Sequence, residues 1–421
     1  MGFVRRQVVT AALTANAIRP LPGYRTGIPA FFAGWLTGEL APQVLGLTVA
    51  DAAAHATGSR RDVRGLALAG LSTAGLAYLV RQSRQAVSDA EDALVEGLGV
   101  DYLDQLDAKP TPAELATPWR RIANPFAFRR AARKAGVEVT GNIPFAPYGA
   151  RGTLDVYTSE VTPPSGAPVL LQVHGGGWTI GKKEQQGLPL MQHLAAKGWV
   201  CVAINYRLAP RHKWPAQIVD VKAAIAWVKD NIAAYGGDPD YIAITGQSAG
   251  GHLTALAAVT PNAPEFQPGF EDADTTVQAA APYYGVYDLA AASGLRSARL
   301  LRDTFLAPWV FGKDPGADLT TFEDASPLLR VTADAPDMFV VHGARDTLVD
   351  VGQARAFVEA LRTTSKRSVT YAELPGAQHA FDIFPSIRSQ HLVRATDRFL
   401  HWHWNGWRRE RAAAPAEHSA G

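Results

Sequence analysis

A short glycine-flanked turn constrains the fold of this chain most tightly. Residues 246–250 read Gly-Gln-Ser-Ala-Gly, which is the G-x-S-x-G pattern. A β-branched run at 241–245 precedes the turn, and an alanine- and leucine-rich run at 251–258 follows it. Strand, sharp turn and helix in this order form a nucleophile elbow, which presents a serine hydroxyl at the carboxyl end of a sheet. Gly246 and Gly250 leave room for the strained backbone that the serine needs there.

From about Glu138 onward, short apolar runs alternate with helical patterns. The predicted strands lie at 154–157, 169–173, 199–204, 241–245, 277–284, 338–341 and 369–374, and the predicted helices at 215–234, 353–362 and 385–402. Strands separated by helices indicate an α/β fold, with a mostly parallel central sheet and helices on both faces. The single cysteine, Cys201, falls within a predicted central strand, so we expect a buried and unreactive thiol.

The charge balance argues against a highly charged partner. The formal net charge is only +2, so no strong field favours nucleic acid. A basic and aromatic patch at 119–134 lies in the proline-containing linker 111–137, and we expect it to face anionic lipid headgroups or solvent. Residues 408–421 are charged and alanine-rich, which predicts a disordered tail.

Residues 1–110 form a helical region that is more apolar than the rest. The segment 28–50 contains one charged residue, Glu39, and is long enough to span a bilayer. The segment 65–80 is uncharged but shorter, and an amphipathic helix is predicted at 81–106. One hypothesis is a helical hairpin in or on a membrane, which places the protein at a membrane or in the cell envelope. The other is an apolar helical layer packed on the catalytic domain or on a second subunit, and a cytoplasmic location stays open.

A triple-glycine segment directly follows one of the buried strands. It consists of Gly175, Gly176 and Gly177, preceded by His174. Successive glycines let the backbone approach a substrate closely, with N–H groups free to point at it. A motif of this kind supplies oxyanion donors together with the residue after the nucleophile. We therefore expect Gly175, Gly176 and Ala249 to be the donors, and His174 to shape the loop; a merely flexible loop is the alternative.

The acid and the base are expected late in the chain, because they follow the nucleophile on this fold. Asp346 comes after a strand and a glycine turn, and His379 lies in a glycine-flanked loop after the next strand. In this prediction Asp346 orients the imidazole, and His379 takes the proton of Ser248 and returns it to the leaving group. Asp350 is the nearest alternative for the acid.

Three further motifs carry a family resemblance. They are His-Gly-Gly-Gly-Trp at 174–178, Asn-Tyr-Arg-Leu-Ala-Pro at 205–210 and Gly-Asp-Pro-Asp-Tyr-Ile at 237–242. With them, the region 138–407 resembles the α/β-hydrolase superfamily and, within it, the hormone-sensitive-lipase-like carboxylesterases. Gln247 departs from the acidic residue that usually precedes the serine, and is more similar to feruloyl esterase- and formamidase-like relatives.

The resemblance implies an acyl-serine mechanism with neither metal nor cofactor, and a cap over the active site. The candidate cap is the insertion 289–329, whose apolar residues also fit a pair of core helices. The N-terminal region resembles the apolar extension of some actinobacterial, notably mycobacterial, lipase/esterase-type proteins. We therefore expect a serine carboxylesterase that acts on short- to medium-chain acyl esters or lipids, attached to a membrane through residues 28–80. The alternatives are a formamidase-type amide hydrolase and a non-catalytic receptor.

Overall fold

An eight-stranded sheet lies at the centre of the computed structural model, in the order β1-β2-β4-β3-β5-β6-β7-β8. The structure describes residues 1–21, 24–58, 62–125, 136–161 and 165–413. β1 and β2 run antiparallel to their neighbours, and every other pair is parallel. The strands are β1 Val137–Pro144, β2 Thr153–Ser159, β3 Ala167–Val173, β4 Val200–Ile204, β5 Gly237–Gln247, β6 Ala279–Tyr283, β7 Asp337–Gly343 and β8 Val369–Leu374.

Helices connect the strands and form an N-terminal layer. The N-terminal helices are α1 Phe3–Ile18, α2 Tyr24–Glu39, α3 Ala41–Thr57 and α4 Val63–Leu98, followed by the short α5 Pro112–Leu115 and α6 Trp119–Ala123. The remaining α-helices of the described chain are α7 Leu188–Ala195, α8 Ala216–Asn231, α9 Ala249–Val259, α10 Arg296–Leu301, α11 Thr320–Asp324, α12 Val351–Thr364 and α13 Ile387–Ala413. A π-helix, Arg302–Phe311, continues from α10.

Helices cover both faces of the sheet, as predicted. α8, α9 and α12 bury their apolar side chains against one face, and α7, α13 and the second half of α4 do so against the other. β3 and β4 are buried along their whole length, which is typical of parallel strands with helices on both sides. The predicted α/β-hydrolase fold is confirmed, and Cys201 is a buried free thiol in β4. The sequence patterns missed β1 and α7.

The N-terminal segments depart from the predicted hairpin. Residues 28–50 do not form one helix, because α2 ends at Glu39 and α3 starts at Ala41. Pro42 explains the break, since it sits in the first turn of α3 and has no N–H to continue the α2 hydrogen bonding. Residues 65–80 belong to the 36-residue helix α4. Residues 28–50 therefore do not form the single helix of bilayer-spanning length that their composition allows.

The N-terminal helices pack on the catalytic domain, as the second hypothesis proposed. Ala90, Leu94 and Leu98 of α4 lie in the same apolar cluster as the buried residues of β3 and β7. At the end of α2, Glu39 forms a buried ion pair with Arg388 of α13. α2 and the second half of α4 therefore share a core with the sheet, whereas α1, α3 and the first half of α4 pack in a separate apolar cluster.

Two predicted boundaries need correction or fall outside the described chain. α13 continues to Ala413 because Trp404 and Trp407 pack on Tyr241, with ring centroids 4.6 and 5.3 Å away. The predicted disorder at 408–421 is thus wrong for 408–413, and 414–421 lie outside the described residues. Within the basic patch of the linker, residues 126–135 also lie outside them.

Candidate active site

The elbow at the end of β5 has the strained backbone that the sequence predicts. Ser248 has φ 58° and ψ −119°, and it is partly accessible. A Cβ at Gly246 would lie 2.5 Å from the carbonyl oxygen of Gly250, and one at Gly250 would lie 2.1 Å from that of Val173. Neither position can hold a larger residue without moving backbone. The glycines therefore fix the turn that exposes the hydroxyl.

The structure brings Ser248, His379 and Asp346 together in one hydrogen-bonded row. His379 Nε2 lies 2.8 Å from Ser248 Oγ, and His379 Nδ1 lies 2.6 Å from Asp346 Oδ2. An ionised carboxylate can only accept hydrogen bonds, so Nδ1 carries the ring proton and donates a hydrogen bond to Asp346. Nε2 is then free to accept the serine proton.

Backbone and side-chain donors hold Asp346 in place. Its Oδ1 accepts the N–H groups of Leu348 and Val349, each at 2.8 Å. A second imidazole, that of His342, lies with Nε2 3.3 Å from Oδ2. Burial acts to raise the pKa of Asp346, but the two neighbouring histidines outweigh it, so the net pKa is below its usual range. The carboxylate is therefore ionised while completely buried.

Asp350, the alternative acid, has a different role. Its Oδ1 accepts the N–H of Gly352 at 2.8 Å and so caps the N-terminus of α12. Its Oδ2 accepts a hydrogen bond from the Ser297 hydroxyl at 2.7 Å. Both carboxylate oxygens are thus bound away from His379.

The triple-glycine loop lies beside the serine, but its first amide is already engaged. A Cβ at Gly175 would lie 3.0 Å from Ser248 Cβ, and the Gly175 N–H donates to Gln186 Oε1 at 2.6 Å. Gly176 (φ +114°) and Gly177 (φ +58°) have backbones suited to glycine. Ala249 is the first residue of α9, so its N–H has no acceptor within the helix.

His174 shapes this loop. Its Nδ1 donates to the carbonyl oxygen of Gly175 at 2.7 Å, and its ring stacks on Tyr206 with centroids 4.3 Å apart. Burial lowers the pKa of His174 to about 4, so the ring is neutral. Gln247, next to the serine, accepts from Gln172 Nε2 at 2.6 Å. The neutral amide at 247 therefore matches a neutral amide partner in the core.

Several residues around the base were not predicted from the sequence. The ring of Tyr284 lies 4.5 Å from that of His379, and Phe31 of α2 approaches the same imidazole at 5.9 Å, edge to face. Gln378 joins the two loops that carry the acid and the base. Gln378 could have been suspected from its place next to His379. Phe31 carried no such signal, because it lies in an apolar run about 350 residues upstream.

The insertion 289–329 reaches the glycine loop through Phe305. A Cβ at Gly177 would lie 3.3 Å from Phe305 Cζ, so this phenyl ring borders the glycine loop. Val310 and Phe311 are buried in the main core, and Trp309 is exposed. The buried residues match the core-helix alternative, and a cap over the active site stays a prediction. Among the described residues, no group of three or more His, Cys, Asp or Glu side chains could hold a metal ion.

Comparison with known proteins identifies the family. The probable carboxylic ester hydrolase LipM of Mycobacterium tuberculosis is 45% identical over 414 residues, which cover 95% of this chain and 93% of that protein. Esterase LipQ of the same organism is 43% identical over 375 residues, 87% of this chain and 83% of that protein. This chain belongs to the hormone-sensitive-lipase-like α/β-hydrolase esterases. The LipM match extends over most of the N-terminal region of this esterase as well.

Two further comparisons agree with this assignment. The family model described as BD-FAE matches residues 154–361, which include Ser248 and Asp346. A structure of Thermogutta terrifontis esterase 2, phosphonylated by sarin, has a TM-score of 0.53 and 26% identity; it covers 63% of this chain and 94% of that one. The predicted family and the class of carboxylic ester hydrolase are thus confirmed for this esterase.

Proposed function

We propose that this esterase hydrolyses short- to medium-chain acyl esters through an acyl intermediate on Ser248. The observation that carries the proposal is the row from Ser248 Oγ to His379 Nε2 and from His379 Nδ1 to Asp346, at 2.8 and 2.6 Å. These distances allow the imidazole to remove the serine proton as the hydroxyl attacks. A buried, ionised Asp346 stabilises the imidazolium that forms.

The reaction then has two halves. In the first, Ser248 Oγ bonds to the ester carbonyl carbon, and its proton passes to His379 Nε2. The bond from that carbon to the alkoxy oxygen breaks, and the imidazolium protonates the departing alcohol. In the second half, water attacks the acyl-serine while His379 takes its proton, which later returns to Ser248 Oγ and releases the carboxylic acid.

Backbone N–H groups stabilise the negative charge on the carbonyl oxygen. Ala249 and Gly176 are the two proposed donors, because the N–H of Gly175 is hydrogen-bonded to Gln186. The positive end of the α9 dipole, at Ala249, adds to this stabilisation. Gly175 can join only if Gln186 Oε1 moves away.

An apolar ring beside the glycine loop favours an acyl or alkoxy group without charge. Phe305 borders Gly177 and is partly exposed, whereas the rings of Phe31 and Tyr284 are buried against His379. Burying an alkyl chain against the Phe305 ring removes apolar surface from water, which is favourable.

The test is hydrolysis of a p-nitrophenyl ester series, from acetate to palmitate, by the wild type and Ser248→Ala. We expect turnover that is highest at short or medium chains and a loss of several orders of magnitude in the variant. The matching p-nitroanilides separate an ester hydrolase from an amide hydrolase of the formamidase kind. Wild-type activity in Ser248→Ala would contradict the proposal, and silence of the wild type on every substrate would favour the receptor alternative.

We also propose that the N-terminal layer contacts a lipid surface. α4 alone among the described helices is long and apolar enough to cross a membrane, yet only 28% of its most apolar window is buried. Its exposed side includes Leu71 and Tyr78, and Phe32 of α2 is also exposed. Exposed arginines, including Arg64 and Arg81, bound this apolar surface and complement anionic headgroups.

Co-sedimentation of the full chain with phosphatidylglycerol vesicles tests this contact. Leu71→Asp should weaken binding at least severalfold, because it places a charge where a large apolar side chain, 71% exposed, meets lipid. Val161→Asp is the matched control, since Val161 is 79% exposed in a loop of the catalytic domain. Equal binding of wild type and Leu71→Asp would refute the lipid contact.

A further inference from the structure

Helix α2 contacts the loop that carries the catalytic acid. Thr347, which follows Asp346, donates its hydroxyl to the carbonyl oxygen of Gly27 at 3.1 Å. The backbones approach closely, since a Cβ at Gly27 would lie 2.9 Å from the carbonyl oxygen of Thr347. The first turn of α2 therefore packs closely against Thr347, the residue that follows the catalytic acid.

The same contact is linked to the base through Gln378. The Oε1 atom of Gln378 accepts the N–H of Thr347 at 2.8 Å and the N–H of His379 at 2.9 Å. Gly34 of α2 lies against this side chain, because a Cβ there would be 3.6 Å from Gln378 Nε2. One buried amide thus joins both catalytic loops under the surface of α2.

Two more contacts fix α2 along the base loop. The buried ring of Phe31 meets the imidazole of His379 edge to face, 5.9 Å away. At the end of the helix, Glu39 pairs with Arg388 and accepts a hydrogen bond from the Ser386 hydroxyl at 2.6 Å. The side chains of Glu39 and Arg388 are almost completely buried. Helix α2 therefore contacts the base loop both at His379 and at Ser386, where the loop ends.

We propose that α2 holds Asp346 and His379 in the relative orientation that proton transfer requires. The N-terminal region is then part of the active site. Thr347, Gln378 and Phe31 are positioning residues: they touch the catalytic acid and base or their backbone. The inference rests on the proposed function of this triad. It assigns to α2 a role in turnover that neither membrane attachment nor a purely structural layer requires.

The experiment compares Thr347→Val and Thr347→Ser in the full-length enzyme with p-nitrophenyl butyrate. Valine keeps the shape but cannot donate to Gly27 or to Gln378 Oε1, which lies 3.3 Å from the hydroxyl, so kcat should fall about fivefold with KM within about twofold. Serine keeps the hydroxyl and should restore most of kcat. Phe31→Ala should lower kcat about tenfold, because it removes the ring that packs on the imidazole. The control is Leu36→Ala, an exposed residue of α2, which should leave kcat unchanged.

A second measurement is independent of turnover. The proton between His379 Nδ1 and Asp346 should give a far-downfield proton NMR signal, assigned by its loss in His379→Ala. Thr347→Val should broaden or shift this signal, and Thr347→Ser should retain it. An unchanged signal and unchanged kcat in Thr347→Val and Phe31→Ala would overturn the role of α2. A wild type that shows the signal but hydrolyses no ester would instead contradict the proposed function, and the signal would still report on α2.

Discussion

Replacing Asp346 by asparagine tests the triad sharply, because the hydrogen bonds around this side chain permit only one orientation of the new amide. Oδ1 of Asp346 accepts two backbone N–H groups, from Leu348 and Val349. An asparagine must place its carbonyl oxygen there, since a flipped amide would leave two buried donors unpaired at about 1–3 kcal/mol each. Its NH2 group then faces His379 Nδ1.

The consequence is a reversed tautomer. With a donor opposite it, Nδ1 becomes an acceptor and the ring proton moves to Nε2, which can no longer accept the proton of Ser248. The comparable change in serine hydrolases lowers kcat by about 10,000-fold, equivalent to about 5.5 kcal/mol of activation free energy. Because the asparagine keeps the shape and two of the hydrogen bonds, we expect little change in the thermal midpoint.

The assay is kcat on p-nitrophenyl butyrate, with the thermal midpoint measured on the same samples. Asp350→Asn is the matched control, because asparagine also caps helices well and Asp350 does not contact the base. If Asp346→Asn keeps more than about a tenth of the wild-type kcat, the proposed orientation by the acid is refuted. A comparable loss in Asp350→Asn would refute the assignment of the acid.

Two further predictions concern buried charges around α2 and the base. Glu39→Ala leaves Arg388 buried without its partner and should lower the free energy of unfolding, measured by urea titration, by about 3–5 kcal/mol. The control, Asp51→Ala, breaks an exposed pair with Arg6 and should lower it by less than about 1 kcal/mol. Equal losses in the two variants would contradict this reasoning. Asp382 is buried three residues after His379, and burial raises its pKa from 3.8 to about 6. The folded state therefore binds a proton more tightly than the unfolded state does. The resulting stability is fully present below about pH 4 and is lost as pH rises through 6. Asp382→Asn should remove about 3 kcal/mol of that decline between pH 4 and pH 7, and parallel pH curves for wild type and variant would refute it.

The fold was predictable because its signals are local. The run 169–173 and the pattern around Ser248 each specify a strand or a strand–turn–helix unit by themselves, and βα units in sequence assemble into a parallel sheet. The positions of Ser248, Asp346 and His379 follow from this arrangement, because each residue lies just after the carboxyl end of a parallel strand, at the same edge of the sheet. The structure brings these side chains within hydrogen-bonding distance, as that argument predicts.

The N-terminal region was harder to predict because composition does not distinguish its environments. An apolar run such as 28–50 can be buried in lipid or in protein, and the hydrophobic effect is not directional. The deciding contact joins Glu39 to Arg388, about 350 positions apart. Hydropathy therefore suggested a span where the structure has a helix break and a buried ion pair.

The sequence by itself thus determined the nucleophile turn, the parallel strands of the sheet and the order of the catalytic residues, because short-range backbone geometry dictates them. Only the tertiary structure decided that Gly175 bonds to Gln186, that Asp350 caps a helix and that Phe31 packs on His379. Each of these contacts depends on which distant segments pack together, and on which of several possible partners lies within hydrogen-bonding distance of a polar group. That choice is made by the packing of the whole chain, which no single stretch of residues encodes.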